Sequence, residues 1–237
     1  MDNDMRDDVI VTEGVKKTYD DSGVPVHAVR GIDYRLSRGE FTAIIGPSGS
    51  GKTTFLNLMA GLDTPTEGKV WLSGRLISDM SGRELSDFRR DNIGFIFQAY
   101  NLFPVLTVEE NVEYIMLLQG VPRKERHDRV MGILEKVGLA DLSGRLPLKL
   151  SGGQQQRVAV ARAMVSDPSL VIADEPTANL DSATSGELLD MMRQLNEDTG
   201  MTFLFSTHDE IVMERARKIV VRRDGRIDGK ADPEDFQ

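Results

Sequence analysis

The chain has 237 residues, 40% hydrophobic and 28% charged, a length and balance that fit one large globular domain or a domain with a lobe inserted in it. It contains no cysteine, which excludes disulfides and thiolate metal sites, and its net charge of −9 argues against nucleic acid as the main partner, since phosphate backbones are held by clustered Lys and Arg. No apolar run approaches the roughly 18 residues needed to cross a bilayer, and residues 1–8 are acidic and polar, unlike a signal peptide; work at a membrane would then fall to a partner.

Strands are predicted over 9–16 and 26–36 around the turn Asp20-Asp21-Ser22-Gly23, an antiparallel layer at the start. Residues 41–45 form a short apolar strand that runs into Gly46-Pro47-Ser48-Gly49-Ser50-Gly51-Lys52-Thr53, and 53–59 continue as a helix with Gly61 as its C-cap. This is the strand, loop, helix context of the phosphate-binding motif G-x-x-x-x-G-K-[ST]. Its glycines let successive backbone N–H groups converge on phosphate oxygens, while Lys52 reaches the β/γ-phosphates and Thr53 a Mg²⁺. Thr54 is expected to add a hydroxyl to a phosphate oxygen, though on its own it reads equally as a first-turn helix residue.

Further strands are predicted at 70–72 and 93–97. Over 107–163 the apolar period becomes helical, through Val108, Val112, Ile115 and Met116, then Val130, Ile133, Leu134 and Val137, then Val158, Ala161 and Met164. This stretch reads as a helical lobe inserted into an α/β core. Residues 170–173 and 202–206 are continuous apolar strands separated by a long helix over 182–198, the pattern of a parallel sheet covered on both faces. Asp224-Gly225 marks a hairpin turn, and 228–237 are a short acidic tail. One domain over 9–227 is expected, with β layer and core at about 9–97 and 165–227 and the helical lobe at about 98–164.

Two more segments carry chemistry. Leu150-Ser151-Gly152-Gly153-Gln154 puts two glycines ahead of an amphipathic run, which aims a second helix N-terminus at an anion; Ser151 alone reads more readily as a plain N-cap followed by flexible glycines. One nucleotide does not need both loops. Asp174-Glu175 ends a buried strand, where open α/β sheets place their ligands. Successive strand side chains point to opposite sides, so both acids serve one site only if the backbone turns there, as Pro176 allows. In isolation the pair reads more readily as a solvated strand end; behind a phosphate loop the reading reverses.

The phosphate loop, Leu150-Ser151-Gly152-Gly153-Gln154, Asp174-Glu175 and Ser206-Thr207-His208-Asp209, in this order, resemble the nucleotide-binding domain of ATP-binding cassette (ABC) proteins over nearly the whole chain. The resemblance implies an α/β P-loop NTPase with a RecA-like parallel-sheet core, an N-terminal antiparallel β layer and an inserted α-helical lobe. It implies ATP and Mg²⁺ as cofactors, with Asp174 holding the metal and Glu175 polarising the attacking water. By the same resemblance Gln98 senses Mg²⁺ and water at the joint with the lobe, His208 bonds the γ-phosphate and orients Glu175, and Tyr19 stacks on adenine. Ser151, Gly152, Gly153 and Gln154 would face the γ-phosphate held by a second copy of the chain, and Asp181 lies in the segment linking the two sites.

Ala173-Asp174-Glu175-Pro176-Thr177, Asn179-Leu180-Asp181 and Ile93-Gly94-Phe95-Ile96-Phe97-Gln98 with Asn101-Leu102 are similar to the ATPases of lipoprotein-releasing and macrolide-exporting transporters, the LolD and MacB type; Ala178 departs from the glycine common there. The implied partner is an integral membrane permease of the FtsX/MacB-like kind, reached from the cytoplasmic face. Tyr100, Leu102, Phe103, Pro104 and Val105 are expected to offer it an exposed apolar groove. An ABC importer ATPase is the alternative. A soluble cassette protein would carry two cassettes or long coiled coils, and a regulatory GTPase an N-K-x-D segment; the chain has neither.

Overall fold

The computed structural model of the protein describes residues 7–20 and 23–231. Asp21 and Ser22 of the expected turn, residues 1–6 and, of the tail expected over 228–237, residues 232–237 lie outside the described residues; residues 228–231 are not tail but the end of a strand that pairs back onto the sheet. β1 (Asp8–Tyr19) pairs antiparallel with β2 (Val26–Ser37) and with β4 (Glu67–Leu72), which pairs in turn with the short β5 (Arg75–Leu76). The second sheet runs β10 (Arg226–Ala231), β9 (Lys218–Arg223), β3 (Phe41–Ile45), β8 (Thr202–Thr207), β7 (Leu170–Asp174), β6 (Ile93–Phe97). Within it β9 to β6 are parallel, and β10 joins antiparallel through the two-residue turn Asp224-Gly225, both with positive φ, 48° and 77°.

The central strands are buried on both faces, and their side chains divide between two cores by the period of two. Phe41, Ala43, Ile45, Val171, Ala173, Phe203 and Phe205 face one core; Ile44, Ile172 and Leu204 face the other. The first core is closed by α3 (Val108–Leu118), α4 (Arg123–Lys136), α5 (Gly152–Met164) and α6 (Ser182–Thr199), through Val112, Leu134, Val158 and Leu189. The second is closed by α1 (Lys52–Met59) and the antiparallel sheet, through Phe55, Leu58, Ile10 and Val70. Each such side chain contributes about 1.5–3 kcal/mol by leaving water.

Two helices escape apolar periodicity. α2 (Gly82–Asn92) fully buries no side chain, and only Leu85 and Phe88 lean half-buried on the second core, too few to read as a period; its mark is the capping box in which Ser81 and Glu84 bond each other's backbone N–H. α7 (Glu210–Arg215) is too short for a period and begins at Asp209, whose carboxylate accepts the Ile211 N–H at 3.0 Å. The cap of α1 is Ala60, and Gly61 takes the next, left-handed position at φ 63°. No helix among the described residues is long and apolar enough to cross a membrane.

Where α5 crosses β6, Gly94 lies directly on the Ala163 backbone, and a Cβ there would collide with the Ala163 carbonyl. Gly94→Ala is therefore expected to lower stability by about 1–3 kcal/mol. A lower denaturation midpoint at unchanged slope is the expected result, and an unchanged midpoint would refute this close contact.

Candidate nucleotide site

The phosphate loop leaves β3 at Gly46 and enters α1 at Lys52. Gly49 and Gly51 have φ of 78° and 83°, left-handed values that a side chain would strain. A Cβ on Gly46 would meet the Arg222 carbonyl, and one on Gly51 the Ala28 carbonyl, so the loop is seated backbone to backbone against β9 and β2. Lys52 Nζ donates to the carbonyls of Gly46 at 2.7 Å and Pro47 at 3.3 Å, which holds the ammonium across the loop. Ser50 is turned inward, its N–H on Pro47 O at 3.1 Å and its hydroxyl buried. A cleft of about 760 Å³ opens over this loop, lined by Tyr19, Ser48, Gly49, Gly51, Lys52, Thr53, Thr54 and Glu175.

Glu175 enters this cleft, with Asp174 beside Thr53 at its edge, because the chain turns at Glu175 itself, which adopts φ 49° and donates its N–H to Ser206 O at 2.9 Å. A left-handed non-glycine residue costs about 1 kcal/mol or more, and here three contacts hold it in place. Glu175 Oε1 lies 2.8 Å from His208 Nδ1, and Oε2 accepts the Thr207 hydroxyl at 3.2 Å. Asp174 Oδ2 lies 3.5 Å from the Thr53 hydroxyl, while Oδ1 is buried. Burial, and less strongly the neighbouring Glu175 charge, push the Asp174 carboxyl above its ordinary range against the lowering effect of the Ser206 and Thr53 hydroxyls. A buried carboxylate beside a hydroxyl at the edge of a phosphate loop is what a hard cation such as Mg²⁺ takes. Among the described residues no three His, Cys, Asp or Glu form a metal cluster, so its other ligands would be phosphate and water oxygens.

Tyr19 stands at the far wall with its hydroxyl donating to Asp63 Oδ2 at 2.7 Å, and Lys17 Nζ lies 4.9 Å from its ring centre. Lys17 also bonds Asp63 Oδ1 at 2.6 Å. Burial alone would raise Asp63; the bonds from Lys17, Tyr19 and the Thr64 N–H outweigh it and hold the carboxyl below its ordinary value. Val26, His27, Ala28, Arg30, Asp224 and Gly225 also line the cleft. Asp224-Gly225 is legible as a turn, but no local motif ties any of these residues to the phosphate loop, since the β2 and β9–β10 edges meet only through tertiary pairing such as Arg30 N–H to Gly225 O at 2.9 Å.

The remaining expected residues fall outside this cleft. Gln98 is exposed at the end of β6, where its carbonyl accepts Asn179 Nδ2 at 2.8 Å. Ser151 caps α5 reciprocally with Gln154: Ser151 Oγ accepts the Gln154 N–H at 3.3 Å, and Gln154 Oε1 the Ser151 N–H at 3.0 Å. Gly152 packs by Tyr100 and Leu180, and Gly153 by Thr184. Asp181 caps α6 through the Thr184 N–H and hydroxyl at 3.0 and 2.7 Å, which lower its carboxyl pKa. The second loop and Asp181 thus form one neighbourhood that contributes nothing to the cleft over the first loop.

Comparison with known proteins places this geometry. The family described as ABC transporter matches residues 29–178. An uncharacterized ABC transporter ATP-binding protein of Thermotoga maritima is 49% identical over 215 residues, covering 91% of this chain and 92% of the relative. The lipoprotein-releasing system ATP-binding protein LolD 1 of Rhodopseudomonas palustris is 43% identical over 225 residues, covering 94% and 99%. The macrolide export ATP-binding/permease protein MacB of Hyphomonas neptunium is 41% identical over 94% of this chain, which spans only 34% of that longer protein. Among solved structures, the dimeric post-hydrolysis state of the ATP-binding cassette MJ0796 bound to ADP and Pi superposes with a TM-score of 0.85 at 38% identity, covering 94% of this chain and 98% of that one.

Because the folded pKa of Asp63 lies below its unfolded value, its contribution to stability is present above the unfolded pKa and lost as pH falls through the folded one. Asp63→Asn is expected to cost about 0.5–1 kcal/mol at pH 7, an amount already discounted for solvent screening. Urea unfolding of both proteins at pH 7 and in acid should show the difference shrinking toward zero in acid. An equal difference at both pH values would rule out the charged Asp63 as its source.

Proposed function

We propose a function that proceeds from one premise: this chain belongs to the ABC transporter family of ATP-binding proteins. It is an ATPase, the energy-supplying subunit of a transporter and a homologue of the LolD and MacB nucleotide-binding components. In our reading two copies close head to tail over ATP, so that each phosphate loop is completed by Ser151, Gly152, Gly153 and Gln154 of the other copy. The observation that carries this is the separation just described. Lys52, Thr53 and Glu175 share one cleft, while the second anion-directed loop and Asp181 stand together outside it.

Within each site Lys52 and the N–H groups at the start of α1 hold the phosphates, Thr54 adds a hydroxyl, and Tyr19 offers its ring to the base. Glu175 is the base: it takes a proton from a water as that water's oxygen bonds to the γ-phosphorus. The bond from γ-phosphorus to the bridging oxygen breaks, leaving ADP and phosphate. His208 and Thr207 fix the two Glu175 oxygens, so the acceptor is aimed before the substrate arrives. Mg²⁺, when bound by Thr53 and Asp174, supplies charge neutralisation at the phosphate oxygens. Gln98, at the joint between β6 and the lobe over 98–164, reports the state of the site to the surface beyond it.

That surface supports a membrane partner. Phe103 and Val105 are 42% and 80% exposed, and Tyr114, Leu117 and Leu118 extend the apolar area on α3. Leu102 of the expected groove instead packs against the core, and Tyr100 is half-buried beside Gly152. Buried Asn111 shapes the loop, its amide bonding both the Phe103 N–H and the carbonyls of Phe103, Leu106 and Thr107. An apolar area on a rigid loop suits a helix from a permease of the FtsX/MacB-like kind, with the ATPase held through it at the cytoplasmic face of the membrane.

Glu175→Gln is expected to retain ATP binding while turnover falls by at least about 10²-fold, the loss of a positioned base; Lys52→Ala should lose binding itself. Steady-state hydrolysis beside equilibrium binding separates the two, and wild-type turnover in Glu175→Gln would remove Glu175 from its role. In the Glu175→Gln background, sedimentation should show monomer without nucleotide and dimer with ATP. Adding Ser151→Arg should abolish the dimer and leave monomer binding nearly intact. A double variant that dimerises normally would mean that the second loop does not act across an interface.

A further inference from the structure

Arg222, on β9, is the largest fully buried side chain among the described residues. Its guanidinium sits behind the phosphate loop: Nη1 donates to Gly51 O at 2.6 Å, Nη2 to Ala28 O at 3.3 Å, and its centre lies 5.0 Å from the Phe55 ring centre. Nε is buried without a partner. Among the described residues no carboxylate forms an ion pair with it, and burial lowers its pKa to about 10. A buried cation bonded only to neutral carbonyls is poorly compensated.

Gly51 O already accepts the first α1 bond, from Phe55 N–H at 2.9 Å, so the Arg222 bond is a second demand on the same peptide group. The other end of that peptide is the Lys52 N–H, one of the donors at the start of α1 that have no partner within the helix. Drawing electron density toward the Gly51 carbonyl makes the Lys52 N–H a stronger donor, since bonds in a chain polarise one another. The charge itself lies in a water-free region, where salt screens it little. Its backbone adds a second constraint, because the Arg222 carbonyl is the atom against which Gly46 is seated.

We propose that Arg222 is a positioning residue for the nucleotide: a buried cation behind the phosphate loop, coupled to it through the Gly51–Lys52 peptide, whose counter-charge is the bound polyphosphate. The proposal rests on the loop being the nucleotide's phosphate site, as read above. The class of ligand it favours is a nucleoside di- or triphosphate, in which charge is concentrated over the loop.

The test is calorimetric titration of ADP, with Mg²⁺ present, into the wild-type chain, Arg222→Met, Arg222→Lys and Lys52→Ala. Arg222→Met, which keeps an unbranched apolar stem, should weaken ADP binding tenfold or more. Arg222→Lys, which keeps the charge, should recover more than half of that loss on a logarithmic scale. A loss below tenfold for Met, or recovery of half or less by Lys, would overturn the proposal, since a strut needs shape rather than charge. If Arg222→Met does not fold, Arg222→Gln takes its place under the same thresholds. Lys52→Ala separates the failures: if it binds ADP as the wild type does, or if the wild type binds none, the reading of the loop falls, whatever the Arg222 variants do.

Discussion

Hydrogen bonding between parallel strands sets the level at which everything else is placed. Phe97 pairs with Asp174, Asp174 with Ser206, and Ile45 with both Thr207 and Val221. At this level the next residues along the chain are Gln98, Glu175, His208, Gly46 and Arg222; β6, β7, β8 and β3 end there within about one residue of each other, while β9 runs on to Arg223. Parallel strands all present their carboxyl ends on one side. Five groups from distant parts of the sequence are thus brought to one level by backbone register, and the long-range contacts of Glu175, Gly46 and Arg222 act on groups already at that level. Side-chain contacts such as His208 to Glu175 refine an arrangement that the sheet has already made.

The first core makes that edge rigid. Phe41, Phe203 and Phe205 pack ring to ring in adjacent strands, with centroids 4.6 to 6.0 Å apart, and buried aromatic pairs add to the area they withdraw from water. With the strands fixed in this way, the left-handed turn at Glu175 is held by its surroundings and not by its own preference, as local strain at a site requires.

Much of this was legible in the chain because it rests on local chemistry. The phosphate loop announces itself by spacing, the central strands by unbroken apolar runs, and the β9–β10 turn by Asp224-Gly225. The turn that unites Asp174 and Glu175 was foreseen as a need and assigned to Pro176, whereas it falls one residue earlier, at Glu175. α2 escapes a periodic reading because only Leu85 and Phe88 lean on the core, too few to mark a stripe; Asp63, Ala28 and Arg222 escape it because each gains its place through a tertiary contact. Arg222 is the clearest case. In the sequence it is one of two adjacent arginines before a turn, and only strand alternation and the pairing of β9 with β3 turn it inward while Arg223 remains exposed.

The contact between Gly94 and Ala163 has a mechanical side. It lets α5 touch the sheet with no side chain between them, which makes that end of the helix a fulcrum. Gly152 lies 11 residues away at the opposite end, a lever arm of about 16 Å at about 1.5 Å per residue. A tilt of about 10° about the fulcrum swings the Ser151–Gly152 end through about 3 Å, the length of one hydrogen bond. A rotation of that size at the sheet corresponds to one contact made or broken at the tip.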